Sequence, residues 1–146
     1  MSNFVKEVAK CPDYSNVVWS EDNPFFCEEC LEIHFPYKPI RDIVFIYPTP
    51  PPETFKGSQI VIPEDHREFY LDGKGIVVAV GPGYYDKKLK VFRSMQLEVG
   101  DRVIYDKTVP WVDSVIGLDG KEHVIVFCGE QDVWMKDTSD ALRKVT

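Results

Sequence analysis

The sequence contains no apolar stretch that approaches the ~20 residues needed to cross a membrane as a helix. Its first ten residues mix acidic and basic side chains and lack the apolar centre of a secretion signal. Basic charge is also in deficit, because 24 Asp and Glu outnumber 17 Lys and Arg and give a formal charge of −7. These absences predict a protein without a membrane partner, located in the cytoplasm or in a virion assembled there. They also disfavour binding to nucleic-acid phosphates.

Sequence elements for catalysis are scarce as well. Only three histidines occur, and none lies beside a recognisable nucleophile motif. A glycine-rich loop followed by Lys and Ser or Thr, which would cradle a phosphate, is missing too. We therefore expect no catalytic residues, and we expect the protein to act by binding and not as an enzyme.

Helical periodicity is nearly absent, and β-type patterns take its place from Tyr37 onward. Four segments are dense in β-branched and aromatic side chains: Asp42–Tyr47, Gly75–Val80, Arg102–Tyr105 and His123–Phe127. Turn signals rich in glycine and proline separate them, and Asp119-Gly120 is the strongest hairpin signal. Several short strands without intervening helices predict an all-β fold, either a small barrel or a sandwich.

Composition divides the chain into three parts. Residues 1–36 form an N-terminal extension that holds three of the four cysteines, residues 37–138 form the β-rich body, and residues 139–146 form a tail. A body of about 100 residues can bury a core but remains marginal in stability. We therefore expect the protein to form an oligomer.

The extension carries a candidate metal site. Cys27 and Cys30 are separated by two residues, a spacing that lets both thiolates reach one ion. Cys11 and His34 could complete a tetrahedral Cys₃His zinc site, which would help a segment with little core of its own to fold. The alternative is that these cysteines stay reduced and pack as small apolar residues. The extension is thus either zinc-ribbon-like or metal-free.

A second feature is the segment 48–74, which is long for a loop in a compact domain and is therefore functional or mobile by default. Its centre holds the apolar triplet Ile60, Val61 and Ile62 between polar stretches. Such a triplet is either an anchor for an apolar groove on a partner or an ordinary core strand. The residues alone leave both interpretations open.

Five segments, in this order and spacing, resemble the GroES co-chaperonin family: Lys38–Ile46, Gly57–Glu64, Gly75–Gly83, Val99–Tyr105 and Leu118–Phe127. Taken in that order, they are similar to five elements of the family. These are the first strand, the mobile loop, the strand and glycine turn that precede the roof hairpin, the Val-Gly-Asp turn with its strand, and the final hairpin. The resemblance covers residues 38–137 approximately. One departure is Ser58-Gln59, which stands where the family has a flexible glycine pair.

The resemblance implies a small GroES-like β-barrel with a mobile loop, assembled into a heptameric ring. Such rings cap an ATP-driven chaperonin during protein folding, and they require no cofactor. It also implies that Ile60, Val61 and Ile62 bind the apical domains of the chaperonin. An alternative remains, since folds are reused: the same barrel with an added arm could be a structural or decoration protein of a viral capsid.

Overall fold

The structure, a computed structural model, describes residues 7–14, 17–48 and 73–137. Ten strands occur in these ranges: β1 (Phe26–Cys27), β2 (Glu32–Ile33), β3 (Ile43–Pro48), β4 (Lys74–Val80), β5 (Gly83–Asp86), β6 (Val91–Ser94), β7 (Arg102–Tyr105), β8 (Trp111–Ile116), β9 (Glu122–Gly129) and β10 (Val133–Asp137). A 3-10 turn, Glu130–Asp132, links β9 to β10. No α-helix occurs in the ranges given above, and the predicted all-β fold is confirmed. Accordingly, this part of the chain offers no helix with the length and apolarity to span a membrane.

Six strands form one antiparallel sheet in the order β10-β7-β4-β3-β9-β8. The four strands predicted from composition are β3, β4, β7 and β9, and they occupy the interior of this sheet. β5 and β6 form a separate hairpin, as do β1 and β2. The sheet therefore has two edge strands, β8 and β10.

Each face of the sheet carries a cluster of buried side chains, since successive residues of a strand point to opposite faces. One cluster of buried side chains comprises Val44, Ile46, Val77, Leu97, Val103, Tyr105, Val126 and Cys128. The other comprises Ala9, Phe25, Tyr47, Val78, Val115 and Ile125. Adjacent residues within β3, β4 and β9 thus belong to different clusters. The second cluster takes Ala9 and Phe25 from the N-terminal extension, which therefore covers one face of the sheet.

Aromatic rings connect the extension to this face. Phe25 is fully buried, and its ring centroid lies 5.4 Å from Phe35 and 6.0 Å from Tyr47. Phe35 continues the row to Phe45 at 5.1 Å, and Phe45 contacts Phe127 at 5.0 Å. Aromatic pairs at such distances add about 0.5–1.5 kcal/mol each beyond simple burial. The extension is consequently part of the same packed body as the sheet.

The extension also pairs with the sheet edge. Val8 forms a parallel bridge with Ile116 at the end of β8. The N–H of Ala9 donates to the carbonyl of Ile116 over 2.9 Å, and the N–H of Ile116 donates to Glu7 over 3.2 Å. Farther along, the N–H of Leu118 donates to the carbonyl of Pro24 over 2.8 Å. Part of the β8 edge is thereby occupied by residues that precede the barrel.

Gly81 lies where two chain segments approach closely. Its N–H donates to the carbonyl of Ile43 over 2.9 Å, and a Cβ placed on it would lie 2.1 Å from the carbonyl oxygen of Arg41. Arg41 itself adopts a left-handed conformation, with φ of 54°, in the turn before β3. Since the obstacle is backbone, it cannot rotate away as a side chain could. Only glycine fits here without displacing the turn.

We expect Gly81→Ala to lower the free energy of unfolding by roughly 2–4 kcal/mol, because the Arg41 turn must shift. Gly129→Ala is the matched control: the same construction places its nearest neighbour at 3.5 Å, an ordinary contact. That variant should change stability by less than about 1 kcal/mol. Urea unfolding at one fixed protein concentration measures both. Equal stabilities for the two variants would contradict the close approach at Gly81.

Candidate functional site

The hairpin formed by β1 and β2, here called the knuckle (residues 26–33), positions two of the predicted metal ligands. Cys27 pairs with Glu32 across the hairpin. The turn between them is closed by the N–H of Leu31, which donates to the carbonyl of Cys27 over 2.8 Å. Leu31 adopts a left-handed conformation with φ of 61°, which is uncommon for leucine. The turn returns the chain from β1 to β2, so that Phe26 pairs with Ile33.

The structure brings the four predicted ligands together. The ligand atoms of Cys11, Cys27, Cys30 and His34 all lie within 4.8 Å of one another. The Sγ atoms of Cys11 and Cys30 are 3.9 Å apart, and Cys30 Sγ lies 3.0 Å from His34 Nε2. Cys11 and Cys27 are buried, whereas Cys30 and His34 are partly exposed. All four cysteines of the chain are free thiols, without a disulfide.

The surroundings of the two knuckle thiols push their pKa values in opposite directions. The backbone N–H of Cys30 donates to Cys27 Sγ and is the main reason that the pKa of Cys27 is lowered, with a smaller contribution from the N–H of Glu29. Burial is the main reason that the pKa of Cys30 is raised to about 11, and the adjacent thiols add to it. Backbone donors therefore favour a thiolate at Cys27, while crowding opposes a second one beside it.

Cys128 does not belong to this group. It lies in β9 with its side chain in the first core cluster. Burial, together with the charges of Asp132 and Asp106, raises the pKa of its thiol to about 12. Cys128 is thus a protonated packing residue at neutral pH.

His123 likewise has a structural environment. Its Nε2 lies 2.8 Å from Asp119 Oδ2, and both side chains are largely buried. Its ring packs edge-on against Tyr47 at 5.7 Å. The pair ties the turn between β8 and β9 to the face that the extension covers.

The β5–β6 hairpin corresponds to the roof hairpin that the resemblance implies. Asp86 shapes its turn by accepting the N–H groups of Lys88 and Leu89, at 3.0 and 3.2 Å, and by pairing with Arg93 at 3.1 Å. These donors, the N–H of Leu89 foremost, lower the pKa of the Asp86 carboxyl. The side chains of β6 are all exposed. The hairpin is therefore a shaped projection and contributes little to either core.

Each edge of the sheet carries an exposed tryptophan. Trp134 on β10 is 62% exposed beside Met135, and Trp111 on β8 is 73% exposed beside Val112. Such large apolar side chains on open strand edges are typical of surfaces that bind another chain. Composition alone does not reveal β8, because Asp113 and Ser114 interrupt its apolar pattern.

Glu130, in the 3-10 turn before β10, holds two backbone N–H groups of a distant segment. Glu130 Oε2 accepts the backbone N–H of Gln96 at 2.8 Å and of Leu97 at 3.1 Å. The carboxylate thereby fixes the chain that leaves the roof hairpin against the start of β10. The last strand, Val133–Asp137, follows directly after this turn.

The predicted partner anchors, Ile60, Val61 and Ile62, lie outside the described residues. The two ends of the segment that contains them lie side by side, because Pro48 at the end of β3 pairs with Gly75 near the start of β4. The segment therefore leaves and re-enters the sheet at one place. Its anchors remain a prediction.

Comparison with known proteins agrees with this architecture. The family model described as the chaperonin 10 Kd subunit matches residues 36–135. The chain is 36% identical to co-chaperonin GroES of Rhodothermus marinus over 89 residues, which cover 61% of this chain and 81% of that protein. It is 34% identical to co-chaperonin GroES of Rickettsia akari over 98 residues, which cover 67% of this chain and 94% of that protein.

A third relative, co-chaperonin GroES of Methylorubrum populi, is 32% identical over 90 residues, 62% of this chain and 86% of that protein. The matches span most of the length of these relatives, and the family match begins at residue 36, after the four candidate ligands. The GroES-like barrel and the co-chaperonin role are confirmed by these relatives, and nothing favours a capsid component over them. The chain belongs to the chaperonin 10 Kd subunit family, the family of the GroES co-chaperonins.

Proposed function

We propose that this co-chaperonin forms a closed homo-oligomeric ring, a heptamer, that caps an ATP-driven chaperonin in the cytoplasm while a client protein folds. It performs this role by binding alone, with no catalytic residue and no cofactor that takes part in capping. The observation that carries the proposal is the match of residues 36–135 to the family, together with the two open sheet edges.

The open edges support the ring. β8 and β10 lie at opposite ends of the six-stranded sheet, so one edge of a subunit can meet the other edge of its neighbour. A head-to-tail contact of this kind generates a closed ring when the rotation fits. Trp111 and Trp134 would be buried between subunits, which explains large apolar side chains at exposed positions. The end of β8 at Ile116 is already paired with residue 8 of the extension, which leaves the Trp111 end for the neighbour.

Contact with the chaperonin is assigned to Ile60, Val61 and Ile62, which are proposed to enter an apolar groove of an apical domain. A single triplet of this size binds weakly, since it loses conformational freedom when it docks. Several copies held in one ring bind together through their high effective concentration. Weak individual contacts still permit release when ATP hydrolysis changes the chaperonin.

The proposal is tested by mixing the protein with the chaperonin of Rhodothermus marinus, whose own co-chaperonin is 36% identical to this chain. Sedimentation should show one ring of this protein bound to the chaperonin in the presence of ATP and none in its absence. A protein that forms a stable ring but never binds would fit the alternative role of a structural shell component.

A further inference from the structure

We propose that the N-terminal extension contains a structural zinc site in which Cys11, Cys27, Cys30 and His34 hold one Zn²⁺ in a tetrahedron. The ion clamps the extension onto the sheet. The inference concerns residues that precede the family match and does not depend on the capping function.

The donor set is the first argument. Three thiolates and one imidazole are ligands that zinc prefers, and four protein ligands without an open position are typical of structural zinc sites. When Zn²⁺ binds, the three thiols release their protons to solvent. The resulting centre carries one net negative charge, because the two positive charges of the ion offset two of the three thiolates.

The geometry is the second argument. Two thiolate sulfurs bound to one tetrahedral zinc, each about 2.3 Å from the metal, lie about 3.8 Å apart. The Sγ atoms of Cys11 and Cys30 are 3.9 Å apart, which matches this separation. Cys30 Sγ and His34 Nε2, at 3.0 Å, need to separate by only a few tenths of an ångström to reach the corresponding distance of about 3.5 Å.

The knuckle backbone supplies the third argument. Cys27 Sγ receives the N–H groups of Cys30 and Glu29, and Cys30 Sγ receives the N–H of Glu32. Donors aimed at the sulfurs orient the ligands and stabilise their charged form, as outer-shell groups do in metal sites. The left-handed Leu31 is the residue that turns the N–H of Glu32 towards Cys30.

The position of the site indicates what the metal accomplishes. Cys11 ends the segment 7–11, here called the strap, in which Ala9 and Cys11 are the buried residues. The strap forms backbone hydrogen bonds with Ile116 on β8. Two small buried side chains stabilise such a segment little, whereas a zinc bond from Cys11 fixes the strap to the knuckle. Through Phe25 and Phe35 the knuckle is in turn packed on the sheet.

Elemental analysis of protein purified without chelator tests the site. We expect about one zinc per chain, with less than about 0.2 per chain in Cys27→Ser and in His34→Ala. His34 is partly exposed, so its variant should fold even if Cys27→Ser does not. Zinc in His34→Ala at the wild-type level, or a wild type that carries iron, copper or no metal, would overturn the proposal. Cobalt exchanged into the wild type should show the visible absorption of tetrahedral thiolate coordination.

Cys128→Ala is the matched control, because it removes a buried thiol of the first core cluster outside the site. It should lose stability through packing yet keep about one zinc per chain. Loss of zinc in this control to the level of Cys27→Ser would mean that zinc content follows folding in general, and it would also overturn the assignment of ligands.

Hydrogen exchange tests the clamp separately from the metal content. The N–H of Ala9 is bonded to Ile116, and the N–H of Val77 is bonded to Asp101 within the barrel. Removing zinc with a chelator should speed the exchange of Ala9 at least about tenfold while Val77 remains protected. The melting temperature should fall by about 5–10 °C. Unchanged exchange at Ala9 after the metal has left would contradict the clamp.

Discussion

Replacing Ile62 with aspartate is expected to weaken binding to an ATP-loaded chaperonin by more than about 100-fold. A buried, unpaired carboxylate in an apolar groove costs several kcal/mol, and each 1.4 kcal/mol is a factor of ten in affinity. The ring would repeat this loss at every subunit, which removes the gain from multiple contacts. The melting temperature and ring size should stay at the wild-type values, because an anchor for a partner contributes nothing to the core. Binding is measured by sedimentation with the chaperonin of Rhodothermus marinus.

Leu89→Asp is the matched control for this variant. Leu89 lies at the tip of the roof hairpin and is 59% exposed, so the same charge is introduced on an exposed aliphatic side chain outside the proposed anchor. It should bind the chaperonin as the wild type does. If Ile62→Asp unfolds or fails to assemble while Leu89→Asp does not, the triplet is a core or interface strand and the anchor assignment is wrong.

Replacing Trp134 with aspartate is expected to convert the ring to monomers at micromolar concentration. The side chain of Trp134 is exposed on the free edge of β10 in the single subunit, so the charge should leave the fold of the monomer intact. In the proposed ring the same position would face the neighbouring β8 edge, where a charge would lose its water and repel Asp113. Native mass spectrometry and far-ultraviolet circular dichroism separate the two effects.

Leu89→Asp again serves as the control and should remain a ring. A Trp134→Asp protein of wild-type oligomer size would show that β10 is not a subunit contact. A wild-type protein that is a stable monomer at micromolar concentration would contradict the proposed ring.

The interior strands could be predicted from the sequence because they are dense in β-branched residues and bounded by turn signals. β8 could not be, since Asp113 and Ser114 interrupt its alternation; only its pairing with β9 from Trp111 to Ile116 makes it a strand. The burial of Phe25 could not be predicted from the sequence either. It lies in an extension without strand periodicity, and its burial depends on the contacts of its ring with Phe35 and with Tyr47 of β3.

For the candidate metal site, cysteine spacing identified Cys27 and Cys30, because two intervening residues fit one metal-binding turn. Spacing could not determine where Cys11 lies, since that depends on the pairing of the strap with β8. Nor could it identify the left-handed Leu31, which no residue preference for leucine predicts. The partner anchors come from the family resemblance alone, and they stay a prediction.

The central claim, that this protein acts as a cap for a chaperonin, is tested most directly by client refolding. A denatured client that requires encapsulation is added to the Rhodothermus marinus chaperonin and ATP, with and without this protein. The account predicts that the yield of active client rises to about the level given by that organism's own co-chaperonin, and that Ile62→Asp gives no rise. A wild-type ring that leaves the yield unchanged, while the organism's own co-chaperonin raises it, would contradict the account.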